Sequence, residues 1–434
     1  MSIRRALVIG CTAAAVLLAG CSSSSKKTSP TTAAPTTAAA GGAAAGASTT
    51  AAAAANVPCS PGANETTVKV GLINWISGNP AYAGFFQPGT AGAQARINEQ
   101  NDAGGVNGRK LSLDVGDDGG DTNMNLATAR RLVESDNVFG IIEFPPSGQG
   151  SGAYLQQQGI PVIGWETSGD PWALRPNFFA YAGSGALDPE KNPVTTSAEF
   201  MKEHGVTNLA LFAGPPPAAI AVSKADAEGA KSIGLPVGFE DLNIAPGTGD
   251  FTADVAKTKA AGSDGFITEL DALTAQGLLK AFAQQGLKEV GLFSTGYDQR
   301  VVNAFSATLQ GDFFDTEFAP LELNLPGHQQ YKADMAKYQP SALIGQMSLI
   351  GWLSADLFIK GLQLLGSACP NRAEYIKALQ GLHDYTGEGL LPPVDFATQQ
   401  GKPKICYFYS QVQGKAYVPV SDKPFCGKAV TPQQ

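Results

Sequence analysis

Val68-Lys69-Val70-Gly71-Leu72-Ile73-Asn74-Trp75-Ile76-Ser77-Gly78 is the stretch on which the fold turns. The short apolar run Val68–Ile73 reads as a strand, and Ser77-Gly78 as the turn beyond it. Comparable runs recur downstream at Leu111–Val115, Val138–Phe144 and Pro161–Trp165, with helical patterns between them. In Thr122–Ser135, Met124, Leu126, Ala127, Leu132 and Val133 fall on one face, and Asp121 or Thr122 suits the N-cap. Strand alternating with helix implies a parallel sheet covered on both faces. A second set of strands follows at Leu209–Ala213, Gly238–Ile244, Gly265–Thr268 and Val290–Phe293. Its helices are expected at Pro193–His204, Ala218–Ile233, Phe251–Ala261 and Leu273–Gln285. Two such sets imply two α/β lobes, with Gly183–Pro189 as a hinge. The apolar stretch Ile344–Leu365 contains Asp356 and Lys360, which points to a buried packing helix and not a membrane span. A helix at Arg372–Leu382, a turn at Gly387–Pro393 and a strand at Ile405–Ser410 close the body.

The front end has a different character. Arg4 and Arg5 precede the apolar stretch Ala6–Gly20, which is shorter than the roughly 20 residues needed to span a bilayer. Residues 1–20 are therefore expected to be a secretory signal. Its end, Leu18-Ala19-Gly20-Cys21, looks like a lipoprotein cleavage box, with Cys21 as the lipidated residue. Ser, Thr, Ala, Gly and Pro dominate residues 22–55, so 21–65 is expected to be a flexible tether. Of six cysteines, Cys11 leaves with the signal, and Cys59, Cys369, Cys406 and Cys426 remain as disulfide candidates. Four cysteines allow three pairings, and the expectation leans to Cys369 with Cys406 and Cys59 with Cys426. No CxxC occurs and His204, His328 and His383 are scattered, so no metal is expected.

Composition narrows the function classes. The chain of 434 residues carries a net charge of −8 and lacks the basic footprint of a nucleic-acid binder. Mean hydropathy of −0.05 argues against a multi-spanning membrane protein. Charged residues are 16%, against about 25% in soluble domains. Within residues 1–55 only Arg4, Arg5, Lys26 and Lys27 are charged, so that segment dilutes the fraction only slightly. Buried parallel strands and small-residue helices account for the rest.

A resemblance then becomes specific. Ile97-Asn98 with Gly104-Gly105-Val106-Asn107-Gly108-Arg109-Lys110-Leu111 resembles an "IN…GGINGRKL" stretch. Asp117-Asp118, Asp121-Thr122, Ala127 and Ala129 resemble a "DD…DP…A…A" strand-to-helix turn, and Gln158–Ile163 a "GIPVI" strand. Thr386-Gly387 and Val394-Asp395-Phe396 loosely resemble a late glycine turn and strand. Together with Val68–Gly78, their order and spacing over about 66–425 resemble the branched-chain amino acid (Leu/Ile/Val) receptors of ABC transporters. These are type I periplasmic binding proteins. The resemblance implies two Rossmann-like lobes with parallel sheets joined by three crossovers, near 183–189, 314–322 and 387–395. Lobe 1 would be 66–186 completed by about 320–386, and lobe 2 would be 187–319 completed by about 387–434.

Ligands of open α/β sheets sit beyond the carboxyl ends of the strands. That rule selects loops holding Trp75 and Tyr82, Ser147, Trp165, Glu166 and Ser168, and in the second set Glu269, Asp271 and Tyr297. By the resemblance, Ser147 and Ser168 correspond to the groups that hold an amino-acid carboxylate. The family's second-lobe tyrosine falls at Ala218, and its amine-binding acid falls near Gly296 or Tyr297, with Asp298 adjacent. Glu166, Glu269 and Asp271 are the acids placed to meet a cation, and Tyr82 and Tyr297 are the expected aromatic contacts. Asp117 and Asp118 lack the spacing of a calcium loop. No G-x-S-x-G elbow, P-loop or G-x-G-x-x-G after a strand occurs, so no enzyme and no cofactor is expected. The expected function is a lipid-anchored, monomeric solute-binding protein on the outer face of the cytoplasmic membrane. It would capture a small polar ligand, an amino acid or related carboxylate or amide, and deliver it to an ABC permease. The alternatives are a sensing lipoprotein that signals to a membrane receptor and an exported hydrolase.

Overall fold

A computed structural model describes residues 58–167, 170–183, 185 and 189–430, all within one unit spanning Ala55–Gln434. The expected signal, Cys21, most of the tether, Ser168 and part of the first hinge lie outside the described residues.

The opening stretch forms β1 (Thr67–Asn74), whose Val70, Leu72 and Ile73 are fully buried. It is flanked by β2 (Lys110–Asp117) and β3 (Gly140–Glu143), followed by β4 (Val162–Gly164) and β5 (Phe178–Ala180). All pairings are parallel, in the order β2-β1-β3-β4-β5. Val70 sits opposite Leu113 on one side and Gly140 on the other. A strand with neighbours on both sides and helices on both faces must be apolar along most of its length, as Val68–Ile73 is.

The second sheet contains β6 (Leu209–Ala213), β7 (Val237–Asp241), β8 (Gly265–Glu269), β9 (Val290–Phe293) and β10 (Phe313–Thr316). These run parallel, in the order β10-β9-β8-β6-β7. An antiparallel extension follows: β11 (Cys406–Gln413) pairs with β10, β12 (Ala416–Pro419) and β13 (Phe425–Cys426). The expected helices of both sets are present within a few residues of their predicted ends. The α/β class with two parallel-sheet lobes is thus observed.

Three local readings need correction. The Thr122–Arg130 helix is capped by Asp121, which accepts from Asn123 N and Met124 N, but its buried residues are Asn125 and Ala129, with Leu132 buried on the π-helical turn Arg131–Ser135 that follows. Met124 is 49% exposed. The polar Asn125 goes inside because it joins a buried carboxylate network described below. The disulfides are Cys59–Cys369 and Cys406–Cys426, not the expected pairing. Cys406 and Cys426 are opposite partners on β11 and β13, so topology fixes that bond. Cys59 is held beside Cys369 because Ser60 N donates to Pro370 O at 2.9 Å. Finally, β5, β10, β12 and β13 were not predicted; β5 and β13 are three and two residues long, too short for a period to show.

The long apolar helix is Gln346–Leu364, buried on nearly every side. Among the described residues no helix is long and apolar enough to cross a membrane. Its Asp356 is neutralised inside the protein: Arg96 Nε is 3.0 Å from Asp356 Oδ1, and Tyr385 donates to Asp356 Oδ2 at 3.0 Å. It crosses the Pro88–Asp102 helix at backbone contact. A Cβ on Gly92 would lie 1.8 Å from Ser348 O, and one on Gly351 would lie 1.9 Å from Gly89 O. Only glycine fits at either place.

Candidate functional site

The carboxyl ends of the two sets of strands share a cavity of about 450 Å³. From the first sheet come Pro146 and Gln149 after β3, and Trp165, Glu166 and Thr167 after β4. From the second come Glu269 at the end of β8, Ser294 after β9 and Asp315 near the end of β10. The Pro217–Ser232 helix adds Asp226, and the segment before β11 adds Lys404. A smaller cavity of about 320 Å³ lies beyond Gln346, which lines both. Gln346 is immobilised there: its Oε1 accepts from Gly296 N at 3.1 Å and its Nε2 donates to Ser294 O at 3.1 Å.

The seven predicted ligand residues separate. Glu166 and Glu269 line the larger cavity, and so does Trp165. Asp271 and Tyr297 line the smaller one. There Asp271 caps the Ala272–Gln284 helix, accepting from Leu273 N and Thr274 N at 3.1 Å each. Tyr297 is 2% exposed; its hydroxyl donates to Glu322 and accepts from Leu321 N at 2.8 Å. Tyr82 lines neither cavity; its ring packs 4.8 Å from Trp75, and its hydroxyl lies against Gly214. Burial, reinforced by Asp271, pushes the Tyr82 hydroxyl up to about 12. Ser147 stands behind the wall of the larger cavity, buried, with its Oγ donating to Asp118 Oδ2 at 2.6 Å. Ser168 is outside the described residues.

Ser147 belongs to a network that braces the first-sheet wall. Asn125 Nδ2 donates both to Asp118 Oδ2 at 3.0 Å and to Glu143 Oε1 at 2.8 Å. Asn125 Oδ1 accepts from Ser151 N at 3.1 Å. Glu143 is 1% exposed, and burial pushes its carboxyl up to about 8. Burial likewise raises Asp118. The backbone of Glu143 accepts from Trp165 N at 3.1 Å, so the network reaches the cavity through one peptide unit.

At the other end of the cavity Lys404 is surrounded by acids. Its Nζ is 3.3 Å from Glu166 Oε2 and bonds Glu317, which also accepts from the Tyr181 hydroxyl. Burial pulls the Lys404 ammonium down, but Glu317 and Glu166 outweigh it and hold the lysine above its ordinary range. Asp226, Asp315, Glu317, Lys404 and Tyr407 were missed from the sequence. Asp226 lies mid-helix, where a carboxylate reads as a solvated face. Asp315 and Glu317 lie on or beside a strand that periodicity did not show. Among the described residues no group of three or more His, Cys, Asp or Glu side chains is placed to hold a metal ion.

Residues 67–416 match the model of a periplasmic binding protein family. The chain belongs to that family, and its fold is the type I form. Solved structures agree on the fold. A fatty acid ABC transporter substrate-binding protein from Thermomonospora curvata is 20% identical with a TM-score of 0.70, covering 85% of this chain and 94% of that one. A branched-chain amino acid ABC transporter protein from Thermus thermophilus with bound valine is 18% identical with a TM-score of 0.72, covering 83% and 97%. A solute-binding protein from R. palustris in complex with 4-hydroxybenzoate is 18% identical with a TM-score of 0.68, covering 83% and 97%. Among curated proteins there is no match.

Proposed function

We propose that this chain is an extracytoplasmic solute-binding protein that captures a small polar molecule in the larger cavity and delivers it to an ABC permease. The observation that carries this reading is the cavity itself: about 450 Å³, walled by loops from both sheets, with polar groups on each wall. A ligand that bridges two lobes binds the closed arrangement better than the open one, and so shifts the population that a partner meets. Glu166, Glu269 and Trp165 are its proposed contacts, with Ser168 retained from the sequence. The lobes are proposed as 66–186 with about 320–386, and 187–319 with about 387–434.

The same proposal holds that the protein acts as a monomer anchored through a lipid on Cys21, after loss of residues 1–20. Leu18-Ala19-Gly20-Cys21 and the Ser/Thr/Ala-rich stretch behind it support the anchor.

The test is thermal denaturation of the purified protein against a panel of amines, amino acids, small carboxylates and amides. A solute at 100 times its Kd stabilises the folded state by about 2.7 kcal/mol. Trp165 gives a second readout, because an occupant of the cavity alters its fluorescence. No shift and no fluorescence change across the panel would overturn solute capture.

A further inference from the structure

The walls of the larger cavity also limit what it can hold, a deduction that rests on the solute-binding reading above. They carry five carboxylates, on Glu166, Asp226, Glu269, Asp315 and Glu317. Among the described residues one cationic side chain, Lys404, faces them, and it is held by Glu317 and Glu166. Asp226, Glu269 and Asp315 approach the same space from the Pro217–Ser232 helix, β8 and β10. They repel one another: Asp315 acts on Asp226, and both act on Glu269. Burial raises all three carboxyls above their ordinary range, this repulsion adds to it for Asp226 and Glu269, and the Ser294 hydroxyl offsets it only in part for Glu269 and Asp315.

Two oxygens decide the matter. Glu269 Oε1 and Asp315 Oδ1 are buried at the cavity wall with no hydrogen-bond partner among the described residues. Asp315 as a whole is 9% exposed. A buried acceptor left unpaired costs about 1–3 kcal/mol, and more when charged, so such groups normally have a partner. A carboxylate group supplies no donor, and it brings negative charge into a space whose lysine is already shared by two glutamates. A protonated nitrogen supplies both the donors and the charge. Trp165, Tyr181 and Tyr407 add aromatic faces to the walls, surfaces that attract cations.

We infer that the solute taken by this cavity is a small organic cation, an amine or guanidinium without a free carboxylate, whose N–H groups donate to Asp315 and Glu269 while Asp226 adds charge. This sets the chain apart from neighbours whose structures hold valine or 4-hydroxybenzoate.

Isothermal titration calorimetry of the purified protein with putrescine, agmatine, valine and benzoate tests it. Putrescine or agmatine is expected to bind, and valine and benzoate to give no heat. Asp315→Asn and Glu269→Gln keep shape and remove charge, and each is expected to weaken the bound cation at least tenfold. Wild-type circular dichroism and an unliganded melting temperature no lower than wild type show that the variants are folded. If valine or benzoate binds while both cations are silent, the cation inference is overturned and solute capture stands. If a cation binds wild type and both folded variants equally, the inference is likewise overturned. If all four are silent and the wider panel gives no thermal shift, both readings fall.

Discussion

Glu143 offers the clearest quantitative test of how the cavity wall is held. It sits at the end of β3 with one oxygen on Asn125 and the other, Oε2, buried without a partner. Its carboxyl titrates at about 8 in the fold, against 4.5 as its ordinary value, because burial penalises the charged form. The fold therefore keeps the proton that the unfolded chain releases. A carboxyl raised in this way stabilises the protein fully below about pH 4.5, and that stability is lost as pH rises toward 8. Worked at about 1.4 kcal/mol per tenfold change, the loss attributable to Glu143 between pH 5 and pH 8 is on the order of 3 to 4 kcal/mol.

Glu143→Gln retains the shape and stays neutral at both pH values. Urea denaturation of wild type and variant at pH 5, 6.5 and 8, followed by tryptophan fluorescence, gives the difference in unfolding free energy at each. Asp226 and Asp315, which burial pushes up to about 7, contribute pH dependence of the same sign to both proteins and cancel in the difference. The variant is expected to gain on the order of 3 to 4 kcal/mol on wild type between pH 5 and pH 8. A difference that stays flat to within about 1 kcal/mol over that range would refute the buried, protonated assignment.

Two further outcomes follow from backbone geometry and chain connectivity. Gly351→Ala places a methyl 1.9 Å from Gly89 O and is expected to cost about 3 kcal/mol or more in urea, whereas Gly84→Ala, with nothing within 4 Å, should be near neutral. Replacing both Cys59 and Cys369 by Ser opens a loop of 310 residues and is expected to cost about 6 kcal/mol, against about 3 for the pair Cys406 and Cys426, separated by 20; the reverse order in thermal melts would refute the loop-entropy account.

Much of the framework is legible in residues 68–293 because most strands there are apolar runs set off by a helix of recognisable period. Asp121 also announced itself, since a carboxylate before Thr122 can satisfy the free N–H groups of a helix start. Met124 was expected inside and is exposed, while its neighbour Asn125 is buried. Helical periodicity scores Met124 as core, but Asn125 has buried carboxylates to serve, and its three hydrogen bonds outweigh the apolar gain. The cysteines could not be paired from spacing. Cys406 and Cys426 meet only because β13 turns back on β11, and β13 is two residues long.

The larger cavity was half legible, and the missing half has a physical cause. The rule that ligands lie beyond strand ends selected Glu166 and Glu269, since both follow strands that periodicity could show. Asp315 belongs to Phe313-Phe314-Asp315-Thr316, where two phenylalanines enter the core and the next two residues are polar and still buried. A buried acid in that position breaks the pattern by which a central strand is recognised. The strand was missed for the same reason that it is a candidate for function: its end departs from what packing alone would select. Asp226 repeats the argument on a helix. It is 8% exposed in the middle of Pro217–Ser232, and burial with Asp315 nearby pushes it up to about 7. The Ser197 hydroxyl favours its charged form, but burial and Asp315 outweigh that contact. A neutral side chain of similar size would remove the repulsion with Asp315 and Glu269, and the unliganded protein would then be more stable. Asp226→Asn is the direct comparison. If the apo protein gains stability while the affinity for a bound cation falls, the acid is retained for the ligand and not for the fold.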